Sequence, residues 1–278
     1  MKTLTIYSKI IFILFVLVNI NACKKDDSVT TPTPTVTKLC KVSKIDYGRG
    51  EYDVFTYNSS GQVTKIDRGY LDYNTLKIAT TTRTFAYDVD GLLINKLYDD
   101  GSRNQEKFTY INGALSTMEY TDKTYFLNVK VNVTTDANKK IIAMKENFGL
   151  KSIKIIRDAQ DNISKIEDYD KNNILQSVLE FSNYDGKKTW QNGIPTWIFD
   201  ATKSVFGDLD YLVLSGQPSG TAKSIKYYSV SSGKSTLESD ITSTQMYNSN
   251  GFATQSILTD ALDKSYKQTY NYSYSDCQ

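Results

Sequence analysis

One unit, written several times over, limits what this chain can become. FTYNSSGQVTKI from Phe55, FAYDVDGLLINKL from Phe85 and FTYINGALSTM from Phe108 each hold an alternating apolar run, a polar turn with Gly61, Gly91 or Gly113, and a second alternating run. Side chains alternate faces along a strand, so a period of two on both sides of a glycine turn specifies a β-hairpin. Tyr87, Tyr110, Val133 and Ile156 follow one another at intervals of 23, and TTDANKK and RDAQDN place Asn138 and Asn162 near the position of the glycine. Tyr247-Asn248-Ser249-Asn250-Gly251 restarts the pattern, and Tyr270 follows Tyr247 by another 23. One hairpin cannot bury its apolar face alone, so the copies must lie side by side. Thr82 to Tyr87, Lys107 to Tyr110 and Lys267 to Tyr274 alternate Tyr or Phe with Thr, Lys, Asn or Ser, which suits a sheet with one packed face and one wet face. The expected fold is all-β: a long antiparallel β-meander of repeated hairpins, strongly curved or barrel-like, over residues 39–278.

The start of the chain carries an address. Lys2 and Lys9 precede an apolar run from Ile10 to Ile20 that is too short to span a bilayer. Ile20-Asn21-Ala22-Cys23 resembles a lipobox, which implies removal of residues 1–22 and acylation of Cys23 as the mature N-terminus. Lys24-Lys25-Asp26-Asp27 resembles the surface-export signal of Bacteroidota lipoproteins, so the expected location is the outer membrane, lipid-anchored and facing outward. Residues 23–38, with Ser28, several threonines, Pro32 and Pro34, read as the lipidated cysteine and a flexible tether.

Composition excludes several chemistries. Residues 1–22 hold two lysines and no acids, so the mature chain has 31 residues of each sign and no basic surplus for nucleic acid. Histidine is absent, which removes Ser-His-Asp and Cys-His catalysis, common His-containing zinc sites and a histidine pH switch. No cofactor motif is present. Cys40 and Cys277 bracket the domain; in an oxidising envelope they form a disulfide joining the first and last strands, or they remain two thiols.

The phrase Phe/Tyr-x-Tyr-Asp/Asn-x-x-Gly-x-aliphatic resembles the YD repeat of Rhs-type and teneurin shells. Lipobox, tether, repeat and terminal cysteines together are similar to Bacteroidota surface lipoproteins with a porin-like domain of unknown function. That resemblance covers most of residues 39–278 and implies a curved or closed meander without an assigned activity. The period breaks in an irregular insert at about 184–220, through YDGKKTWQNGIPTWIF and the apolar run Tyr211 to Leu214, which the resemblance makes a family feature, a short helix or a plug.

Within the insert, Trp190 and Trp197 flanked by Tyr184 and Phe199 form either a platform for sugar rings or aromatic filling for one end of the sheet. Asp88 with Asp90, Asp158 with Asp161, and Asp208 with Asp210 offer oxygen ligands of the kind calcium takes, but none completes an EF-hand loop and turn-making explains them. Glu167, Asp168, Asp170 and Glu180 contain candidate carboxylate pairs for glycoside hydrolysis, with a solvated polar face as the simpler reading. The function expected is a non-catalytic binding or scaffold module on the cell envelope, engaging a glycan or another envelope protein. A carbohydrate-active hydrolase and a purely structural shell are the alternatives.

Overall fold

The computed structural model describes residues 40–99, 104–122, 127–147, 151–187 and 220–275. Every regular element among them is a strand: β1 Lys41–Gly48, β2 Glu51–Tyr57, β3 Val63–Asp72, β4 Lys77–Tyr87, β5 Leu93–Asp99, β6 Gln105–Ile111, β7 Ala114–Asp122, β8 Leu127–Thr135, β9 Ile141–Glu146, β10 Lys151–Arg157, β11 Ile163–Asp170, β12 Leu175–Tyr184, β13 Ala222–Ser231, β14 Lys234–Tyr247, β15 Ala253–Asp260 and β16 Lys267–Ser275. Each strand pairs antiparallel with the next in sequence, and β1 pairs with β16, so the meander closes into a barrel. Closure leaves no open sheet edge for unwanted strand pairing. The aromatic insert and its expected short helix lie outside the described residues.

The repeated phrase is a hairpin whose turn is built by its Asp or Asn. Asp88 Oδ1 accepts from the amides of Asp90 (3.0 Å) and Leu92 (2.8 Å), while the Asp88 amide donates to the Leu92 carbonyl (2.9 Å). Asn58, Asp136, Asp158 and Asn248 cap their turns in the same way. The residue before the chain re-enters the sheet is left-handed: Gly91 has φ 79°, but Lys139 (64°) and Asp161 (69°) hold that place in two turns, not the neighbouring Asn138 and Asn162. A left-handed side chain costs about 1–2 kcal/mol, which the capped turn must supply.

Directly after these turns, and after the two-residue turn at Asn112 and Gly113, the returning strand carries one extra residue. Thr56 pairs with Lys65 and Tyr57 with Val63, so Thr64 bulges; Ile94, Ser116, Ile142, Ser164 and Thr254 occupy the same place in later hairpins. A bulge increases local twist and helps a sheet curve. It also shifts the inward pattern from alternate residues to a step of three, as in Val63 and Ile66, Leu115 and Met118, or Ile163 and Ile166, all buried.

Inward residues form one apolar cluster that includes Ile45, Phe55, Ile66, Phe85, Met118, Ile225 and Leu258. The outer face is polar and laced across strands. Across strands Lys130 pairs with Glu119 at 2.7 Å and Lys165 with Glu180 at 3.5 Å, and Gln255 Nε2 donates to Asn271 at 2.8 Å, while Lys65 pairs with Asp67 along β3 at 2.8 Å.

Candidate functional site

Two belts of polar groups line the inside of the wall, one at each end of the apolar cluster. The first lies at the rim carrying the Asp/Asn-capped turns, where β2, β4, β6, β12, β14 and β16 each have a tyrosine as their last or next-to-last residue. In all of these but β14 its hydroxyl donates to the carbonyl of the first inward residue on the preceding strand: Tyr57 to Val42 (2.7 Å), Tyr87 to Val63 (2.7 Å), Tyr110 to Leu93 (3.0 Å), Tyr274 to Ala253 (2.6 Å), and Tyr184 to Ile163. The accepting residue stands beside the bulge, so the phenol satisfies a carbonyl where the ladder is interrupted. Burial pushes Tyr87 up to about 12 and raises Tyr57, Tyr184, Tyr247 and Tyr274 further.

The count of 23 from Tyr110 misplaces this belt in the middle of the chain. Thr135 and Arg157, not Val133 and Ile156, pair with Ile141 and Ile163 at the rim. The cause is strand length: β7 and β8 have nine residues each where β5 and β6 have seven, which outweighs the shorter two-residue turn at Asn112 (φ 53°) and Gly113 (φ 72°). Likewise Tyr274, not Tyr270, is the rim counterpart of Tyr247; Tyr270 lies deeper in the apolar cluster.

The second belt is ionic and lies toward the far rim. Lys96 is fully buried, 3.6 Å from Glu106 Oε1, which also accepts from the Tyr98 hydroxyl at 2.7 Å. Lys96 Nζ stands 4.8 Å from the Tyr98 ring centre and the Arg83 guanidinium 5.5 Å. Beside them the Tyr47 hydroxyl donates to buried Asp53 at 2.5 Å, and Arg68 stands 3.9 Å from that carboxylate and 5.6 Å from the Tyr47 ring. Alternating charge and aromatic faces neutralise one another here, which makes this belt a structural network.

Farther round the wall, register places Asp168 opposite inward Ile153. Burial holds the carboxyls of Glu146 and Asp168 above the usual range; Asp168 repels Glu146, and Lys151 partly offsets both shifts. The other carboxylates named from sequence do not join them. Glu180 pairs with Lys165, Glu167 accepts from Tyr169 at 2.7 Å, and Asp170 caps the turn before β12. Asp88, Asp90, Asp158 and Asp161 belong to capped turns, and among the described residues no group of acids or cysteines is placed to hold a metal ion.

The insert proves to be spliced into one of the repeated turns. The Asp185 amide donates to the Thr221 carbonyl and Asp185 Oδ1 accepts from the Thr221 amide, both at 3.2 Å, reproducing the bonds of Asp88 with Leu92. Gly220 is left-handed with φ 92°, and a Cβ there would come within 2.7 Å of the Lys187 carbonyl oxygen. Tyr184, Asp185 and Gly220 therefore carry the bonds and backbone conformation of the repeated turn. The halves Tyr-Asp and Gly-Thr-Ala were the available signal, concealed by their separation. Tyr184 belongs to the tyrosine belt, its hydroxyl donating to the Ile163 carbonyl. Trp190, Trp197, Phe199, Asp208 and Asp210 lie outside the described residues, as do Cys23 and Cys277; Cys40 is disulfide-bonded.

No family model matches the chain, and no curated protein matches it by sequence. Among solved structures it is similar to a porin-like protein from Bacteroides uniformis, with TM-score 0.58 and 14% identity over 84% of this chain and 98% of that one. This likeness shows a porin-like β-barrel fold. A Tc holotoxin pore from Photorhabdus luminescens overlaps 78% of this chain and 11% of its own at 12% identity, with TM-score 0.33, too low to carry an argument.

Proposed function

We propose that this protein is a lipid-anchored component of the outer cell envelope whose barrel stands in water on a tether and serves as a non-catalytic binding or scaffold module. The observation that carries this reading is the polarity of the wall. A transmembrane barrel shows an apolar band to lipid, and each Lys or Arg at mid-membrane on that face costs about 2–4 kcal/mol. Here Lys65, Asp67, Glu119, Lys130, Lys165, Glu180, Lys226 and Asp240 lie on the outer face, and the apolar cluster faces inward. Such a barrel needs an anchor if it is to stay at a membrane, and the lipobox at Cys23 supplies one. Two or three acyl chains hold where one binds only reversibly.

Metabolic acyl labelling of wild type and Cys23→Ala tests the anchor: label on the first and none on the second is expected, and an unlabelled wild type refutes it. Proteolysis of intact cells tests the outward orientation. For the module, glycan is the ligand class proposed, and a glycan array with no signal at high protein concentration removes it in favour of a protein partner or a plain scaffold. The hydrolase reading has one supporting observation, the raised carboxyls of Glu146 and Asp168. Reducing sugar released from a polysaccharide panel, and lost in Asp168→Asn, would promote it.

A further inference from the structure

We propose that the β6–β7 turn, Asn112-Gly113, is a self-modifying site at which the asparagine converts to aspartate and isoaspartate without an enzyme. The chemistry needs an asparagine whose side-chain amide carbon can be reached by the main-chain nitrogen of the next residue, and glycine, with no Cβ in the way, suits it best. The Gly113 nitrogen bonds to Cγ of Asn112 and gives up its proton, while the Cγ–Nδ2 bond breaks and ammonia leaves. The product is a five-membered imide. Water then adds to one of its two carbonyls: attack at Cγ restores the ordinary main chain with an aspartate, and attack at the main-chain carbonyl leaves the chain running through Cγ as isoaspartate. Ammonia goes out, water comes in, and nothing is oxidised or reduced.

The chain holds three Asn-Gly pairs, of which Asn192-Gly193 lies outside the described residues. The structure separates the other two. In the β14–β15 turn the Gly251 amide donates to the Asn248 carbonyl at 2.9 Å, and the amides of Asn250 and Phe252 both donate to Asn248 Oδ1 at 3.0 Å. The nitrogen that would attack Asn250 is thus tied into a bonded turn. In the β6–β7 turn the Gly113 amide has no hydrogen-bond partner among the described residues, and Asn112 and Gly113 are both exposed.

A cation also stands beside the attacking nitrogen. A Cβ on Gly113 would lie 2.8 Å from Lys139 Nζ, so an ammonium reaching across from the β8–β9 turn rests against the Gly113 main chain, whereas a Cβ on Gly251 would meet nothing within 4 Å. Loss of the Gly113 proton and the oxyanion formed at Cγ both place negative charge there, and an opposite charge within about 4–6 Å favours the charged form. Ring closure swings the Asn112–Gly113 peptide out of the hairpin turn. That swing releases a non-glycine residue from the left-handed region, where Asn112 has φ 53°. It opens only the end pair of the ladder, Ile111 with Ala114, the least costly kind of local unfolding. Either product sets a new carboxylate beside Lys139. Isoaspartate adds one main-chain atom to a turn only two residues long, so the β6–β7 hairpin loses its end pair as the protein ages.

The test incubates the folded full chain at mildly alkaline pH and follows Asn112 and Asn250 separately by peptide mass spectrometry, with isoaspartate scored apart from aspartate. The same chain in denaturant gives the rate of each pair without structure. Relative to its denatured rate, Asn250 should be slowed at least about tenfold more than Asn112 in the folded barrel, as the hydrogen bonds to be broken first require. Isoaspartate should accompany aspartate at position 112, and Lys139→Gln should slow conversion there about threefold while leaving Asn250 unchanged. Asn250 converting as fast as Asn112 in the folded protein overturns the assignment. Aspartate without isoaspartate at position 112 also overturns it, because the amide would then hydrolyse directly without the imide. An unchanged rate at Asn112 in Lys139→Gln overturns the part given to the lysine.

Discussion

Alkali should take this barrel apart through its tyrosine belt. In the unfolded chain a phenol ionises near pH 10, whereas burial holds Tyr87 up to about 12 and Tyr57, Tyr184, Tyr247 and Tyr274 higher still. A folded pKa above the unfolded one means that the native state keeps its proton more firmly. The resulting stability is fully present below pH 10 and is lost as the pH rises from 10 through the folded value. Two pKa units for Tyr87 correspond to about 2.7 kcal/mol at 1.36 kcal/mol per unit. Tyr87 is only half-buried, and solvent screening discounts that to about 1–1.5 kcal/mol. Five such phenols together approach the roughly 5–15 kcal/mol that holds a domain folded. The assay follows phenolate absorbance and far-ultraviolet circular dichroism on one sample from pH 8 to 13. Exposed members of the 21 tyrosines should ionise near pH 10 with the sheet signal intact, and the belt should ionise in a second, steep step that coincides with loss of the sheet. Tyr87→Phe should lower stability at pH 7 by about 1 kcal/mol through the lost hydrogen bond and flatten the slope above pH 10. A single smooth titration near pH 10 with an unchanged sheet signal would refute the argument.

Three other perturbations separate the forces involved. Asp158→Ala removes the acceptor for the amides of Gln160 and Asn162 and should cost about 1 kcal/mol by urea unfolding, with Asp158→Asn nearly neutral because its amide oxygen caps the same amides. Gly69→Ala puts a Cβ 2.5 Å from the Tyr52 ring and should cost about 1–3 kcal/mol by overpacking; the same substitution made in Tyr52→Ala should cost less, as a double-mutant cycle would report. Lys96→Met removes the cation 3.6 Å from buried Glu106 Oε1 and should cost about 3–5 kcal/mol, whereas Lys96→Met with Glu106→Gln should cost less than the single change.

The hairpins were legible because three physical requirements fall on adjacent residues. Alternation states which face is buried, Asp88 or Asn58 must sit where its side chain reaches amides two and four residues on, and Gly61, Gly91 and Gly251 must sit where φ is positive. Counting beyond one hairpin failed. The interval to the next rim residue depends on how long both strands run as well as on the turn, so a fixed count reaches Val133 and Ile156 where the longer β7 and β8 put Thr135 and Arg157 at the rim. The bulges were hidden for a related reason: Thr64 after Val63 and Ser116 after Leu115 look like ordinary polar steps of an alternating strand, and only pairing with the adjacent strand shows them to be extra.

By itself the sequence determined the building block, its turn chemistry and the sidedness of its strands, since these depend on residues within about a dozen positions of one another. Tertiary structure alone decided that β1 meets β16, that Lys96 and Glu106 share the interior with Tyr98, and that Asp185 and Gly220 belong to one turn across the intervening insert. Whether a long meander stays open, and whether a lysine among alternating residues faces water or the inside, depends on the curvature accumulated over every strand between its ends. No local pattern carries that sum.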